Sequence, residues 1–267
     1  MFVTFLSDFG LQDDFVGTCH GVIKRIAPET QIIDVTHGIP PQQVLQGALV
    51  LANTLAYLPV GVHLAVVDPG VGTSRRALAL RDGEGRLYVG PDNGLLLPAA
   101  ERAGIEAARE LSNPQYALGT ISRTFHGRDL FAPAAAHLSL GVPVEELGPP
   151  LGTDVLVRLD LPEPDVRPGK IGATVLYVDN FGNVALNLTR EHVDEVGIVP
   201  GRQVELDLGG ERFYAVAART FADARAGDIM LYEDSYGKMS VAISGGSAAE
   251  MLHVRVGQSL RIHVDVP

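Results

Sequence analysis

Cysteine is all but missing from the 267-residue chain: Cys19 stands alone. A single thiol excludes an intramolecular disulfide, a CxxC redox pair and a thiolate-held metal cluster, and it fits a reducing cytosol, the compartment expected for this protein. Basic residues are scarce as well. Lys and Arg total 21 against 32 Asp and Glu, a formal net charge of −11, and no stretch gathers Lys or Arg into a phosphate-binding face. Nucleic acid is therefore excluded as a partner. Long apolar runs are lacking too. None reaches the roughly 18 residues that span a bilayer, and the chain opens on the strand-like Phe2 to Leu6 rather than on a basic leader, so no membrane partner and no targeting segment is expected.

What is present is an ordinary globular composition, 46% apolar and 20% charged, enough to bury a substantial core in one large domain or two modest ones. The acidic balance suits a cationic small ligand, and equally serves solubility alone. From residue 1 to about 157, β-branched runs alternate with helical stretches: FVTFL at 2–6, QIIDVT at 31–36 and VHLAVVD at 62–68, with helical periodicity at about 14–27 and 41–57. Further strands are expected at 77–82 and 86–90, and a helix at about 128–140. This alternation predicts an α/β N-terminal domain with a mostly parallel sheet.

The stretch 158–168 lies in a proline-rich segment without apolar periodicity and reads as a linker. Beyond it, from 169 to 267, strand-like runs dominate (171–179, 184–189, 202–208, 211–218, 228–232, 238–244 and 259–266), with glycine-bearing turns between them. They predict a smaller all-β domain, an antiparallel barrel or sandwich.

In open parallel sheets ligands bind beyond the carboxyl ends of the strands, and here those ends carry acid-rich loops. The first strand runs into Ser7-Asp8-Phe9-Gly10 and then Asp13-Asp14; the 62–68 strand runs into Asp68-Pro69-Gly70-Val71-Gly72, with Arg75 just beyond. Asp8 has the residue type of a turn or cap, but a second carboxylate at Asp13 allows one to accept hydrogen bonds from a ribose diol and the other to hold an ammonium group. Asp14 is an alternative helix cap. Asp68 and Arg75 could form no more than a surface ion pair, and His126, beside Gly127 at the start of a helix, no more than a capping residue. Asp179, Phe181 and Asn183 lie in a turn whose composition alone reads as a hairpin, and the segments around Ser235-Tyr236 and Ser247-Ala248 are ordinary loop material.

Taken in order, SDFGLQDDFVG (7–17), VVDPGVGTSRR (66–76), GPDNGLL (90–96), FHGRDLFAPAAA (125–136), VDNFGN (178–183) and SGGSAA (244–249) resemble the S-adenosylmethionine (SAM) hydrolases, or SAM hydroxide adenosyltransferases, relatives of fluorinase and chlorinase. The resemblance implies an N-terminal α/β domain, a C-terminal β-barrel and a homotrimer, with active sites between one subunit's N-domain and its neighbour's C-domain. It implies cleavage of SAM, as substrate rather than cofactor, to adenosine and methionine. Asp8 is then expected to bind the ribose hydroxyls, Asp13, Asp179 and Ser235 the methionine end, and Phe181 and Asn183 the adenine. Asn93, Tyr236, Ser247 and Ala248 join the substrate-binding set, and Asp68, Arg75 and His126 activate water. Tyr236 departs from the arginine that halogenases carry, which leaves the methionine carboxylate without an assigned partner. The chain also has no tryptophan to pack on the ribose.

A sulfonium is a strong leaving group, so the task is to place and desolvate a nucleophile at C5′. A cation about 4 Å away at an effective dielectric of about 20 contributes roughly 4 kcal/mol, about 3 pK units. From about 15.7 this leaves water with a pKa of about 12 to 13, so Arg75 alone does not make hydroxide. The expectation is that neutral His126 accepts the proton while Asp68 fixes geometry. No HExxH or other ligand cluster is visible in the sequence, and no metal is expected. The rival activities are halide transfer, which Asp68 opposes by repelling an anion, and non-catalytic sensing of SAM or adenosine.

Overall fold

The computed structural model describes residues 1–264. The chain divides into two compact units, Met1–Leu159 and a second beginning at Asp160. Among the described residues no helix is long and apolar enough to cross a membrane.

The first unit contains β1 (Phe2–Ser7), α1 (Phe15–Ile26), β2 (Gln31–Thr36), α2 (Val44–Thr54), β3 (Val62–Val66), β4 (Ala77–Asp82), β5 (Leu87–Pro91), α3 (Leu97–Ala100), β6 (Ile105–Glu110) and α4 (Ala132–Ser139). The sheet order is β2-β1-β3-β5-β4-β6. The first four of these strands run parallel, and β4 is antiparallel to both β5 and β6. Strand β3 shows why the run at 62–68 is almost wholly apolar: Val62, Leu64 and Val66 join one core with α1 and α4, while Ala65 and Val67 join the other with α2 and α3. Helix α1 buries Val16, Cys19 and Ile23, spaced three and four apart, the stripe that a helix lays on a sheet. Burial pushes the Cys19 thiol up to about 12, so it behaves as a small apolar side chain.

The α-helix α4 begins later than the expected residue 128. Gly127–Phe131 form a π-helical turn before it. Such wide turns are rare and often sit at functional sites.

In the second unit the strands are β7 (Asp165–Arg167), β8 (Lys170–Val178), β9 (Val184–Leu186), β10 (Gln203–Leu208), β11 (Glu211–Ala217), β12 (Ile229–Glu233), β13 (Met239–Ile243) and β14 (Ser259–His263), with short helices α5 (Arg190–Glu195) and α6 (Ala248–Met251). Seven of them, in the order β8-β14-β10-β11-β12-β13-β9, close on themselves through the β14–β8 and β8–β9 pairings. This is the barrel expected from the sequence, with one difference. β11 and β12 pair in parallel, so the barrel is not antiparallel throughout. Alternate residues point inward, as Ile171, Ala173 and Val175 on β8 and Val204, Leu206 and Leu208 on β10 do.

The segment read as a linker is partly ordered as strand: β7 pairs with β8 in antiparallel register. Three residues between prolines are too short for strand periodicity to register. The last expected strand, 259–266, is seen as Ser259–His263; residues 265 and 266 lie outside the described residues.

Candidate active site

Strand order reverses between β1 and β3: the chain leaves β1 toward β2 on one side and returns to β3 on the other. At such a switch point the loops after the two strands diverge and open a crevice, the usual ligand position in an open α/β sheet. Asp8 follows β1 and Asp68 follows β3.

Asp8 is half-buried. Its Oδ2 accepts a 2.8 Å hydrogen bond from the backbone N–H of Gln42, a residue held at φ +66°. Burial raises its carboxyl pKa first of all, and the neighbouring Asp68 adds to the rise while the Gln42 N–H opposes it. Crowded acids of this kind favour a cationic guest.

Asp68 and Arg75 form a bidentate pair, Nε to Oδ1 at 3.1 Å and Nη2 to Oδ2 at 2.5 Å. Their side chains are only 6% and 7% exposed, so this is not the solvated surface pair that spacing alone allowed. Arg75 also donates to the Arg76 carbonyl and lies 5.3 Å from the centre of the Phe131 ring. The loop between them turns at Gly72, φ +76°, where a Cβ would stand 2.2 Å from the Arg123 carbonyl oxygen.

Nη2 of Arg75 also stands 3.1 Å from Nδ1 of His126. A guanidinium has no acceptor, so Nδ1 must receive this bond and the neutral ring carries its proton on Nε2. Burial, then the adjacent Arg75, lower the His126 pKa, against the pull of Asp68. The ring is thus kept neutral, but the Nδ1 lone pair faces a donor. The Nδ1 lone pair on which the expected proton abstraction by His126 depends is engaged by Arg75, which at the same time holds the Asp68 carboxylate. Gly127 lets the Phe9 ring approach, since a Cβ there would lie 2.9 Å from it, and so packs the β1 loop against the His126 turn.

The remaining sequence-selected residues fall into distinct places. Asp13 is exposed in the loop before α1. Asp14 stands at the N-cap of α1, but its carboxylate accepts from the Thr18 hydroxyl rather than from a backbone N–H. Asn93 donates to the Val67 carbonyl and accepts from Leu95 N, so its amide braces the loop after β3.

In the second unit, Asp179 accepts from the backbone of Phe181 and Asn183 and from the Asn183 side chain, at 2.8 to 2.9 Å. The hairpin reading of this turn is therefore correct, whatever else the residues do. Phe181 is 77% exposed, an aromatic ring presented to solvent at the turn. Gly182, at φ +79°, packs against Ser247, whose hydroxyl accepts from Glu250 N at the start of α6. The side chain of Ala248, another residue expected in the substrate-binding set, is fully buried in the barrel core. Ser235 and Tyr236 are exposed on the β12–β13 turn.

Residues 3–148 match the model for the SAM hydroxide adenosyltransferase N-terminal domain, and residues 173–261 match the model for its C-terminal domain. The chain belongs to the SAM hydroxide adenosyltransferase family. It is 49% identical over 263 residues to an (R)-S-adenosyl-L-methionine hydrolase of Salinispora tropica, covering 97% of each chain. It is 42% identical over 271 residues to one of Thermus thermophilus, covering 97% of this chain and 98% of that one. Fluorinases, such as that of an Actinoplanes species at 31% identity, are more distant. A crystal structure of an uncharacterized conserved protein from Thermotoga maritima superposes with a TM-score of 0.90 at 36% identity, over 98% of this chain and 99% of that one.

The sequence reading missed several residues of the switch-point region. Ser7 is fully buried, and its hydroxyl lies 2.7 Å from Nδ1 of His37. His37 Nε2 and His20 Nε2 stand 3.1 and 2.9 Å from the same oxygen of Asp34. These three could hold a metal ion, a ligand atom of each lying within 4.8 Å of the others, and the sequence reading did not pick them out. Their spacing in sequence matches no familiar pattern because α1 and β2 bring them together only in the fold.

Proposed function

We propose that this chain hydrolyses S-adenosyl-L-methionine to adenosine and L-methionine, acting on the (R) sulfonium epimer named for its hydrolase relatives. The observation that carries the reading is the buried Asp68–Arg75 pair, joined by the half-buried His126, beside Asp8 at the β1/β3 switch point. Asp8 receives the ribose hydroxyls, and the local excess of carboxylate attracts the sulfonium cation. Water sits against Asp68 in line with C5′. As its oxygen forms the C5′–O bond, the C5′–S bond breaks and its electron pair returns to sulfur, leaving neutral methionine thioether.

No preformed hydroxide is needed. The attacking water becomes strongly acidic as the C–O bond develops, and Asp68 collects its proton and passes it to solvent. Arg75 holds the carboxylate in place. His126 braces Arg75 through Nδ1 and offers Nε2–H as a donor. A halide at the same spot would meet Asp68 at a cost of about 4 kcal/mol at 4 Å and an effective dielectric of about 20, a penalty that neutral water escapes.

Asp13, Asp179 and Ser235 serve the methionine end, and Phe181 and Asn183 the adenine. The reading includes a homotrimer in which the barrel turns of one copy complete the crevice of the next. It is supported by the way the adenosyl-binding motifs are distributed over both family domains. Incubation with each sulfonium epimer in ¹⁸O-labelled water, with and without chloride or fluoride, tests the function. Labelled adenosine, formed faster from the (R) epimer, is expected. A 5′-halo-5′-deoxyadenosine product, or tight binding without turnover, would refute it.

A further inference from the structure

We infer that His20, Asp34 and His37 form a binding site for a first-row divalent cation of the zinc type, which clamps α1 to the end of β2 and, through Ser7, to the Asp8 loop. One ligand atom from each lies within 4.8 Å of the other two, and two imidazoles with one carboxylate are a donor set that zinc and cobalt both accept. Tetrahedral zinc with bonds of about 2.0 to 2.1 Å separates its ligand atoms by about 3.3 Å. The two edges to Asp34, 2.9 and 3.1 Å, are within a few tenths of an ångström of that spacing, and the third is no longer than 4.8 Å.

His37 supplies the independent sign. Its side chain is 4% exposed, and its Nε2 is fully buried without a hydrogen-bond partner. Asp34 Oδ1 lies 3.1 Å away without forming a hydrogen bond to it. Buried ring nitrogens without partners are uncommon and call for an explanation. A cation provides one. With Nδ1–H donating to Ser7 Oγ, Nε2 keeps its lone pair for a metal, and the Ser7 hydroxyl fixes ring orientation as outer partners of metal-bound histidines do. His20 and Asp34 are partly exposed, at 31% and 42%, which leaves an entry path and room for water ligands.

The site is separate from the Asp68–Arg75–His126 cluster and does not depend on the hydrolase reading. It is tested on untagged, metal-stripped full-length protein titrated with Co²⁺ and Zn²⁺, followed by visible absorption and calorimetry. The expected result is one equivalent bound with a visible Co²⁺ band that Zn²⁺ abolishes. Affinity should fall at least about tenfold in both His20→Ala and Asp34→Asn, because even outer-partner losses cost that much. His20 lies on the outer part of a helix and Asp34→Asn is isosteric, so both variants are checked for folding by circular dichroism. No binding by the wild-type chain, or binding unchanged in either folded variant, overturns the inference.

Discussion

His126→Asn separates two roles for the histidine. The asparagine Oδ1 can stand near the place of Nδ1 and accept from Arg75 Nη2, which lies 3.1 Å from the ring in the wild type, but an amide cannot take a proton from water. If His126 positions Arg75 and Asp68 abstracts the proton, kcat should fall by less than about tenfold, about 1.4 kcal/mol of barrier. A proton-abstracting histidine is worth about 10²- to 10⁴-fold, roughly 2.7 to 5.5 kcal/mol. Asp68→Asn should show the larger loss, with thermal melting to confirm folding because Arg75 loses a buried counter-ion.

The pH profile adds a second reading. Burial and Arg75 depress the His126 pKa below its usual 6.5, so the ring is neutral above that and charges only as pH falls through the depressed value. Imidazolium Nδ1–H would then face an Arg75 N–H, two donors opposed, and activity should drop on the acid side below 6.5. This limb should vanish in His126→Asn. The assay is adenosine release at saturating substrate from pH 5 to 8. A loss beyond about 100-fold in a folded His126→Asn, with Asp68→Asn less impaired, would refute the assignment of roles.

His63 is fully buried, bonded at Nδ1 to Thr4 Oγ1, and burial lowers its pKa to about 4 from 6.5. The unfolded chain binds the extra proton first, so stability should fall by about 3 kcal/mol as pH drops from 6.5 to 4, a slope that urea unfolding should show reduced in His63→Gln. Gly72→Ala places a methyl against the Arg123 carbonyl at positive φ and should cost about 2 kcal/mol or more, with lower kcat from a displaced Asp68–Arg75 loop; a melt within a degree of wild type would contradict this. Asp179→Asn keeps an acceptor for the two backbone N–H groups but removes the charge proposed to serve the methionine end. KM should rise roughly tenfold to 100-fold with little change in melting temperature, and an unchanged KM would confine Asp179 to its turn.

Much of this was legible in the sequence. The β-branched run at 62–68 marked the central strand because burial on both faces leaves no polar alternation, and the loops after β1 and β3 identified the crevice by topology alone. The motif resemblance reached the same residues by another route. What escaped depended on side-chain direction and on approach between distant segments. Spacing could not reveal that Asp68 and Arg75 are buried, or that Arg75 occupies the Nδ1 lone pair of His126. It could not distinguish Ala248 as a core methyl from Ala248 as a loop residue. Nor could it join His20 to Asp34 and His37, since their meeting depends on how α1 packs beside β2.

The placement of β1 between β2 and β3 has a consequence for how the chain acquires its shape. Within this sheet β1 is translated before both of its neighbours, and the second of them, Val62–Val66, pairs with it across some 59 residues of sequence. Translation proceeds at about 5 to 20 residues per second, so Phe2–Ser7 waits on the order of 3 to 12 seconds for that partner. Throughout that interval Val3, Phe5 and Leu6 are an apolar segment with an unfilled edge, the kind of surface that chaperones hold and that aggregation recruits. The crevice between Asp8 and Asp68 can exist only once β3 docks. A nascent chain therefore completes the framework of its candidate active site at the same moment that it buries the second edge of this apolar strand.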